Sequence, residues 1–326
     1  MAAPYPEHNK ERERWVLARR EEAARPRRDD LDPYRPYAFM VEDERSDSGR
    51  IEPVATIFLT NRECPWRCLM CDLWRDTLTE SVPAGAIPAQ IDYALARLAP
   101  ARQIKLYNNG SFFDHHAIPA SDYSDIAARL RDFDRVIVES HPALVGDDCW
   151  RFRDLLSGRL EVAMGLETVH PTAGPRLNKG VSLEQFSSAA ERLRGNGVAL
   201  RVFILVKPPF VAEAEALYWA ERSVDFAFDC GASAMALIPT RAGNGALEAL
   251  AKRGEFSPPR LATLEAATAY GIGLKRGRVF SDLWDLERLA DCAGCYSARA
   301  LRLREMNLRQ EILPPVACRV CGEKGE

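Results

Sequence analysis

The sequence predicts an α/β protein, a partial (β/α)6 TIM-like barrel followed by a short C-terminal module with four cysteines. Three observations predict this class. From residue 52 onward, short apolar and β-branched segments alternate with longer segments of helical period. Polar or glycine-containing segments follow most of the apolar ones. Two C-x2-C pairs lie near the C-terminus.

The apolar segments are predicted to be strands of a parallel sheet, because strands that are buried on both faces read as continuous apolar runs separated by helices. Six or seven such units favour a full or partial barrel over a flat doubly wound sheet. The predicted strands are residues 52–60, 102–108, 135–140, 159–167, 199–208 and 232–239, with 277–284 as a seventh candidate. The helical segments are residues 88–99, 121–133, 150–158, 182–197, 213–231 and 257–273.

We expect three regions along the chain: a charged N-terminal extension (1–50), the barrel core (51–285) and the cysteine module (286–326). Within the extension, residues 10–24 have a helical pattern, and the near balance of acids and bases is typical of a solvated arm. The remainder of the extension is expected to be extended or loop.

Composition limits the class of partner. No apolar run approaches the ~20 residues that a membrane helix needs, and the N-terminus lacks the apolar stretch of a secretory signal. We therefore expect a cytoplasmic protein with no membrane partner. The formal net charge of −3 gives no overall basic field that would indicate nucleic-acid binding, although arginines cluster at both ends.

The segment "NRECPWRCLMCDLW" holds three cysteines, Cys64, Cys68 and Cys71, in a C-x3-C-x2-C spacing directly after the first predicted strand of the core. Three thiolates on one loop can bind three irons of a [4Fe–4S] cluster and leave the fourth iron without a protein ligand. The alternative is a zinc site that borrows a distant fourth ligand.

This spacing, in the loop after a first barrel strand, resembles the radical-SAM superfamily. The resemblance implies two cofactors, a [4Fe–4S] cluster and S-adenosylmethionine (SAM), and an electron donor of the flavodoxin or ferredoxin type. One electron from the cluster then cleaves SAM to methionine and a 5′-deoxyadenosyl radical, which abstracts hydrogen from a substrate.

A narrower resemblance covers roughly residues 52 to 285. The segments "KLYNNGSFFDHHAIP", "ESHPAL", "LEVAMGLETVHP", "LNKGVSLEQF" and "VFILVKPPF" are similar to the archaeosine-synthase radical-SAM subunit family, in the elongator-type branch. This implies action on a lysine-modified deazaguanine base in tRNA and a partner subunit. The alternatives are radical-SAM modification of a peptide or small metabolite, and a non-catalytic zinc protein that binds RNA.

The segment "NNGS" follows the second predicted strand of the core and is expected to bind SAM. In the superfamily a glycine-rich motif at this place hydrogen-bonds the SAM amino group, which assigns the cofactor role to Asn108, Asn109, Gly110 and Ser111. The alternative is a plain strand-to-helix turn. Met70 precedes the third cysteine of the loop, and it is expected to line the adenine of SAM.

Several polar residues at predicted strand ends are candidate catalytic residues. Glu167 ends an apolar strand, where a charged group is costly without a function, and it is assigned to SAM or substrate. Glu139 is a weaker candidate of the same kind, and His141 is either a proton donor or a polar cap. Lys207 follows five apolar residues and is predicted to point inward, toward SAM or substrate; the alternative is a surface lysine.

Two further loops carry weaker signals. Arg241, in "TRAGNG" after the sixth predicted strand of the core, is a candidate clamp for an anion. The segment "NKG" (178–180) is either an anion site or a turn.

The C-terminal cysteines Cys292, Cys295, Cys318 and Cys321 form two C-x2-C pairs, a spacing close to that of zinc ribbons. Four thiolates complete a zinc tetrahedron, and an auxiliary [4Fe–4S] cluster is the alternative. The Arg-rich segment 297–310 between the pairs is the best candidate for an RNA-contacting surface, with a solvated helix as the alternative.

Overall fold

The computed structural model describes residues 4–22 and 30–320 of the chain. They contain an eight-stranded sheet whose strands are β1 Ala38–Arg45, β2 Ile51–Phe58, β3 Gln103–Tyr107, β4 Arg135–Glu139, β5 Arg159–Glu167, β6 Ala199–Val206, β7 Ala234–Pro239 and β8 Arg278–Ser281. The strands are neighbours in chain order. Strands β2 to β8 are parallel, and β1 pairs with β2 in the antiparallel direction.

Helices connect the parallel strands and cover the outer face of the sheet. The α-helices of the described residues are α1 Asn9–Glu22, α2 Ala86–Leu95, α3 Tyr123–Arg129, α4 Asp147–Leu155, α5 Ala173–Arg176, α6 Leu183–Gly195, α7 Glu213–Asp229, α8 Ala246–Ala251, α9 Leu261–Gly273 and α10 Ala293–Arg309. Helix α6 begins with the predicted capping box, in which Ser182 Oγ accepts from Gln185 N and Gln185 Oε1 accepts from Ser182 N.

The predicted partial barrel is confirmed, because β2 to β8 occupy the seven predicted strand segments and the sheet curls. Alternate residues of each strand face the helices: Ile104 and Leu106 of β3 join the main apolar core. Lys105 lies between them in the strand and faces the lumen. The curvature is evident from Arg201 of β6, which pairs with Glu44 of β1 although these strands stand five positions apart in the sheet.

The lumen at the beginnings of the strands is filled by a buried network of ion pairs. Glu161 of β5 accepts from Arg201 at 2.6 Å and from Arg135 at 2.5 Å, and it also pairs with Arg278 at 3.3 Å. Glu44 pairs with Lys105 at 2.6 Å. Buried charges are tolerated only when they are paired and hydrogen-bonded. This charged plug closes one end of the barrel and leaves the carboxyl ends of the strands as the open end.

Helix α10 covers the edge of the sheet at β8. Its Gln310 side chain accepts from Val279 N and donates to Val279 O, and its Asn307 side chain does the same for Ser281. The two amide groups thus satisfy the edge strand as a neighbouring strand would, which protects it from pairing with another chain. α10 also packs against β1, so it bridges the two edges of the sheet.

The N-terminal extension is not a detached solvated arm. Tyr5, Trp15 and Val16 form a second apolar cluster with Leu69 of the cysteine loop and with residues of α8. β1, which belongs to the same predicted extension, is part of the sheet. The predicted domain boundary at residue 51 stays a prediction.

Among residues 4–22 and 30–320, none of the helices combines the length and the apolar composition that a membrane crossing requires.

Candidate active site at the open end of the barrel

The three-cysteine loop lies directly after β2, at the carboxyl ends of the parallel strands, where ligands bind in barrels of this type. Cys64, Cys68 and Cys71 are partly buried free thiols. Burial raises the pKa of each thiol to about 12. The thiols therefore carry their protons until a metal displaces them, since metal ligation requires the thiolate.

Loops from other strand ends hold the backbone of the cysteine loop. Asn244, after β7, donates its side-chain amide to Leu69 O at 2.7 Å and to Cys71 O at 3.3 Å. Asn178 donates to Arg67 O at 2.9 Å, and Leu69 N donates to the carbonyl of the residue before Asn178 at 2.9 Å. These contacts hold the backbone of the cysteine loop against the loops that follow β5 and β7.

Trp66, between the first two cysteines, stacks on His141 with a centroid distance of 3.6 Å and an interplanar angle of 13°. His141 Nδ1 accepts from Ala143 N, which leaves the proton on Nε2 for the contact with Lys179 O at 3.1 Å. Burial and the nearby Lys179 charge lower the pKa of His141 to about 4. The ring is neutral and both its nitrogens contact backbone, so the geometry favours the polar cap over the proton donor.

The "NNGS" turn lies against the first cysteine. A Cβ on Gly110 would stand 3.2 Å from Cys64 Cβ, closer than side chains normally approach, so glycine permits this contact. Glu139, at the end of β4, accepts from Asn108 N at 2.9 Å and also interacts with the amides of Asn109 and Gly110. Burial nevertheless raises the pKa of Glu139 to about 7. Asn109 has a left-handed φ of 54°, and its Oδ1 accepts from Tyr37 Oη at 2.9 Å.

The side chain of Asn108 is fully buried, yet neither Oδ1 nor Nδ2 has a hydrogen-bond partner among the described residues. Nδ2 of Asn109 is also buried without a hydrogen-bond partner among the described residues. A buried amide without partners costs about 1–3 kcal/mol per group, so native proteins rarely leave one unpaired without a reason. The turn beside Cys64 thus offers donors and an acceptor that fit a polar ligand such as the amino acid part of SAM.

Glu167 ends β5 with a left-handed φ of 66°, at an irregularity in the pairing of β5 with β6. Its carboxylate pairs with Lys179 Nζ at 2.5 Å. A Cβ on Gly165 would stand 2.2 Å from Glu167 Oε1 and from Lys179 Nζ, so glycine makes room for the ion pair. Burial alone would lower the pKa of Lys179, but the carboxylate of Glu167 offsets this effect, and the pKa is raised.

A second buried cation approaches the cysteine loop from α1. Arg20 donates to Glu63 Oε1 at 2.8 Å, its guanidinium lies 5.2 Å from the ring centroid of Trp74, and its side chain is 5% exposed. Its charge also acts on Cys71 and Cys68. Lys179 and Arg20 together put positive charge beside the thiols, and an anionic metal–thiolate group would be stabilised there.

The other assigned residues are placed as follows. Lys207 Nζ donates to Ser257 O at 2.8 Å, to Ser257 Oγ at 2.5 Å and to Pro258 O at 3.2 Å. It also pairs with Glu213 of α7 at 3.3 Å. These contacts favour a positioning role, and its assignment to SAM or substrate stays a prediction.

Ser111 is buried with its hydroxyl 3.2 Å from the Ser140 hydroxyl. Met70 is half-buried and packs against the apolar cluster under α1.

Three of the four C-terminal cysteines lie together. The ligand atoms of Cys292, Cys295 and Cys318 all fall within 4.8 Å of one another. Cys321, the predicted fourth ligand, lies outside the described residues. In the part of the chain that the structure describes, no other group of three acidic, cysteine or histidine ligands is this compact.

No protein-family model matches the chain. Archaeosine synthase subunit beta of Methanosarcina acetivorans is 27% identical over 285 residues, which cover 78% of this chain and 78% of that protein. An uncharacterized protein of Methanocaldococcus jannaschii is 26% identical over 246 residues, which cover 71% of this chain and 67% of that protein. The predicted resemblance to archaeosine-synthase subunits is confirmed.

Among solved structures, methylornithine synthase (PylB) is similar with a TM-score of 0.51 at 11% identity, over 90% of this chain and 77% of that chain. The archaeal Elp3 of Methanocaldococcus infernus is similar with a TM-score of 0.50 at 15% identity, over 69% of this chain and 59% of that chain. Both are radical-SAM enzymes. The chain has the radical-SAM fold.

Within the radical-SAM fold of this chain, sequence reasoning missed Lys179, Asn244 and Arg20. The segment that contains Lys179 predicts either an anion site or a turn, and nothing in it indicates the ion pair with Glu167. Asn244 lies in the loop singled out for Arg241, and only the fold shows that its amide reaches the cysteine loop. No pattern in the sequence marks Arg20 among its neighbouring arginines.

Proposed function

We propose that the protein is a radical-SAM enzyme in which Cys64, Cys68 and Cys71 hold a [4Fe–4S] cluster with one open iron for SAM. The observation that carries the proposal is the fixed three-thiol loop with the "NNGS" turn in contact with Cys64. The unpartnered amide of Asn108 supports it, because a buried polar group without partners is available to a ligand and belongs to the turn whose Gly110 lies against Cys64. The cysteine, Asn108–Ser111 and Glu167 assignments remain proposals.

When bound, the cluster supplies the electron that cleaves SAM to methionine and a 5′-deoxyadenosyl radical. The residues of the chain would orient SAM and the substrate at the barrel mouth. The Asn108–Gly110 turn, fixed by Glu139, would hold the amino group of SAM, and Met70 would approach its adenine. The Glu167–Lys179 pair presents a carboxylate and an ammonium at the barrel mouth. The charged plug fills the lumen at the other end of the barrel.

The proposed substrate is a modified deazaguanine-type base in tRNA, and the proposed reductant is a flavodoxin or ferredoxin. The relationship to proteins named archaeosine synthase subunit beta supports both the tRNA base and a partner subunit. Helix α10, with its Arg-rich sequence, remains the proposed RNA-contacting surface. Its Arg299 and Arg302 pair with Glu265, so the exposed arginines of this helix are the ones available to RNA.

The enzyme assignment is tested by anaerobic purification and reduction with dithionite in the presence of SAM. We expect about four irons in the barrel cluster and formation of 5′-deoxyadenosine. Cys68→Ala should lose both, whereas Cys230→Ala, a partly buried thiol away from the loop, should retain both. A wild-type protein that binds two zinc ions and no iron would contradict the proposal and support the non-catalytic alternative.

The substrate assignment needs a separate experiment. Nucleosides of tRNA from a strain without the gene should show a lysine-modified deazaguanosine that disappears when the gene is restored. An unchanged nucleoside profile would contradict the tRNA substrate and leave peptides or small metabolites as the alternative.

For the C-terminal cysteines we propose zinc rather than an auxiliary cluster. Tetrahedral zinc with Zn–S bonds of ~2.3 Å places its sulfurs about 3.8 Å apart, and Cys292 Sγ lies 3.8 Å from Cys318 Sγ. Elemental analysis should find one zinc per chain that Cys292→Ser abolishes without loss of iron. Four additional irons that depend on Cys292 would contradict zinc.

A further inference from the structure

The geometry points to a substrate subsite at the barrel mouth, formed by Arg241 and Trp284, that binds a planar ring carrying an oxyanion. It deepens the proposed function, and it rests on that proposal in assigning the ring to substrate rather than to SAM. The class of ligand is a nucleobase with either a carboxylate on the ring or a neighbouring phosphate.

Arg241 has an unused binding edge. It follows β7, and its Nη1 donates to Asp282 Oδ2 at 2.7 Å. Its Nε and Nη2 are buried, and neither has a hydrogen-bond partner among residues 4–22 and 30–320. These two groups form the side of the guanidinium that grips a carboxylate or phosphate with two parallel hydrogen bonds. Leaving charged donors buried and unpaired is costly, so this edge indicates an oxyanion ligand.

Asp282 connects the arginine to an aromatic surface. Its Oδ1 accepts from Trp284 N at 3.0 Å while its Oδ2 holds Arg241, so one carboxylate positions both residues. The Trp284 side chain is 57% exposed, which is unusual for so large an apolar ring. It contacts Phe58 edge-on at a centroid distance of 6.2 Å. An exposed indole backed by a second ring is a platform for stacking a base.

The subsite adjoins the proposed radical centre. Phe58 is the last residue of β2 and lies directly before the cysteine loop. It also contacts Tyr37 at 5.6 Å, and Tyr37 in turn holds Asn109 of the "NNGS" turn. On the other side, Asn244 follows Arg241 by three residues and donates to Cys71 O. A ligand whose ring stacks on Trp284 and whose oxyanion binds Arg241 would therefore lie at the barrel mouth, between the "NNGS" turn and the cysteine loop.

The test uses three probes in ligand-observed NMR titrations of the full-length protein: guanosine 5′-monophosphate, guanosine and orotate. Guanosine has a ring without an oxyanion, and orotate carries a carboxylate on its ring. We expect the wild type to bind at least one oxyanion probe about tenfold more tightly than guanosine. The stronger of the two identifies phosphate or carboxylate as the preferred anion.

The variants separate the two halves of the subsite. Arg241→Gln should remove the preference for the oxyanion probe and leave the affinity for guanosine unchanged. Arg241→Lys keeps the positive charge but loses the two parallel hydrogen bonds of the guanidinium, so it should retain part of the preference. Trp284→Ala should weaken all three probes by a similar factor. Arg151→Gln, on an exposed arginine of α4, is the control and should match the wild type.

An Arg241→Gln protein that binds all three probes as the wild type does would overturn the subsite. If its 5′-deoxyadenosine formation without substrate also fell tenfold, Arg241 would serve SAM instead. If the wild type holds no cluster, the proposed function fails, but the titrations still decide whether the subsite exists.

Discussion

At the scale of single residues, the carboxylate of Glu139 has a role that its position in the sequence does not reveal. The sequence makes it a candidate catalytic residue at a strand end. Its contacts with the backbone amides of Asn108 to Gly110 instead make it the residue that shapes the proposed SAM-binding turn. A catalytic role stays a prediction, but positioning explains why a carboxylate is buried at this point.

Replacing Glu139 tests that role. Glu139→Gln keeps the size but puts a donor where an acceptor oxygen faces backbone amides, so the turn should shift. We expect the Kd for SAM to rise about tenfold, which corresponds to roughly 1.4 kcal/mol, in anaerobic equilibrium dialysis. Glu221→Gln on α7 is the surface control. Tight SAM binding by Glu139→Gln would show that the turn does not depend on the carboxylate.

The sequence predicts Glu167 as a site residue but does not predict its ion pair with Lys179. A charged residue at the end of an apolar strand is conspicuous, so Glu167 was found. Its partner Lys179 lies 12 residues later, and the pairing depends on the irregularity in β5 and on the space above Gly165. Neither the irregularity nor the space has a sequence signature, so only the folded chain reveals the pair.

At the scale of elements, all the parallel strands were predicted because each is a short apolar run between helical segments. β1 was missed, since its sequence "AFMVEDER" is acidic. Its Glu44 is accommodated because it pairs with Lys105 and Arg201 in the lumen, and the exposed Glu42 also pairs with Lys105. The sequence predicts helix α1 but not its docking, because the apolar patch around Trp15 and Val16 that joins the second cluster is short.

The docking of α1 has a consequence for the proposed cluster. Arg20 brings a buried positive charge to the cysteine loop, so it should favour the reduced, more negative state. We expect Arg20→Gln to lower the midpoint potential measured by EPR-monitored redox titration. A tenfold change in the reduced-to-oxidised ratio corresponds to about 59 mV for one electron. Arg14→Gln, an exposed arginine on the same helix, should leave the potential unchanged, and equal potentials for all three proteins would contradict the role of Arg20.

At the scale of the whole molecule, the charged plug joins strands from both sides of the barrel. Burial alone would raise the pKa of Glu161, but Arg201, Arg278 and Arg135 hold it at about 2. The carboxylate thus links β4, β6 and β8 to β5 in the lumen. Removing one member leaves the others buried without compensation.

Glu161→Gln should therefore lower the free energy of unfolding by about 3–5 kcal/mol, the usual cost of breaking a buried ion pair. Denaturant unfolding followed by circular dichroism measures it. Asp154→Asn, in the exposed pair with Arg153, should change stability by about 0–1 kcal/mol. Equal losses for both variants would contradict a structural role for the plug.

The same network predicts acid sensitivity. Because the folded pKa of Glu161 lies below its ordinary value of 4.5, its contribution is present above that value and is lost as the pH falls toward about 2. The melting temperature of the wild type should fall through this window. The fall should be smaller in Glu161→Gln, and an identical pH dependence in the two proteins would argue against the plug as its source.

The proposed reactive centre is an iron cluster on Cys64, Cys68 and Cys71 with one position open to SAM. The most direct measurement is the EPR spectrum of the anaerobically purified, reduced protein recorded before and after addition of SAM. A reduced [4Fe–4S] signal whose g values shift with SAM, and which is absent in Cys64→Ala, is the predicted result. A cluster signal that SAM leaves unchanged, or reduced protein without any iron signal, would contradict the account.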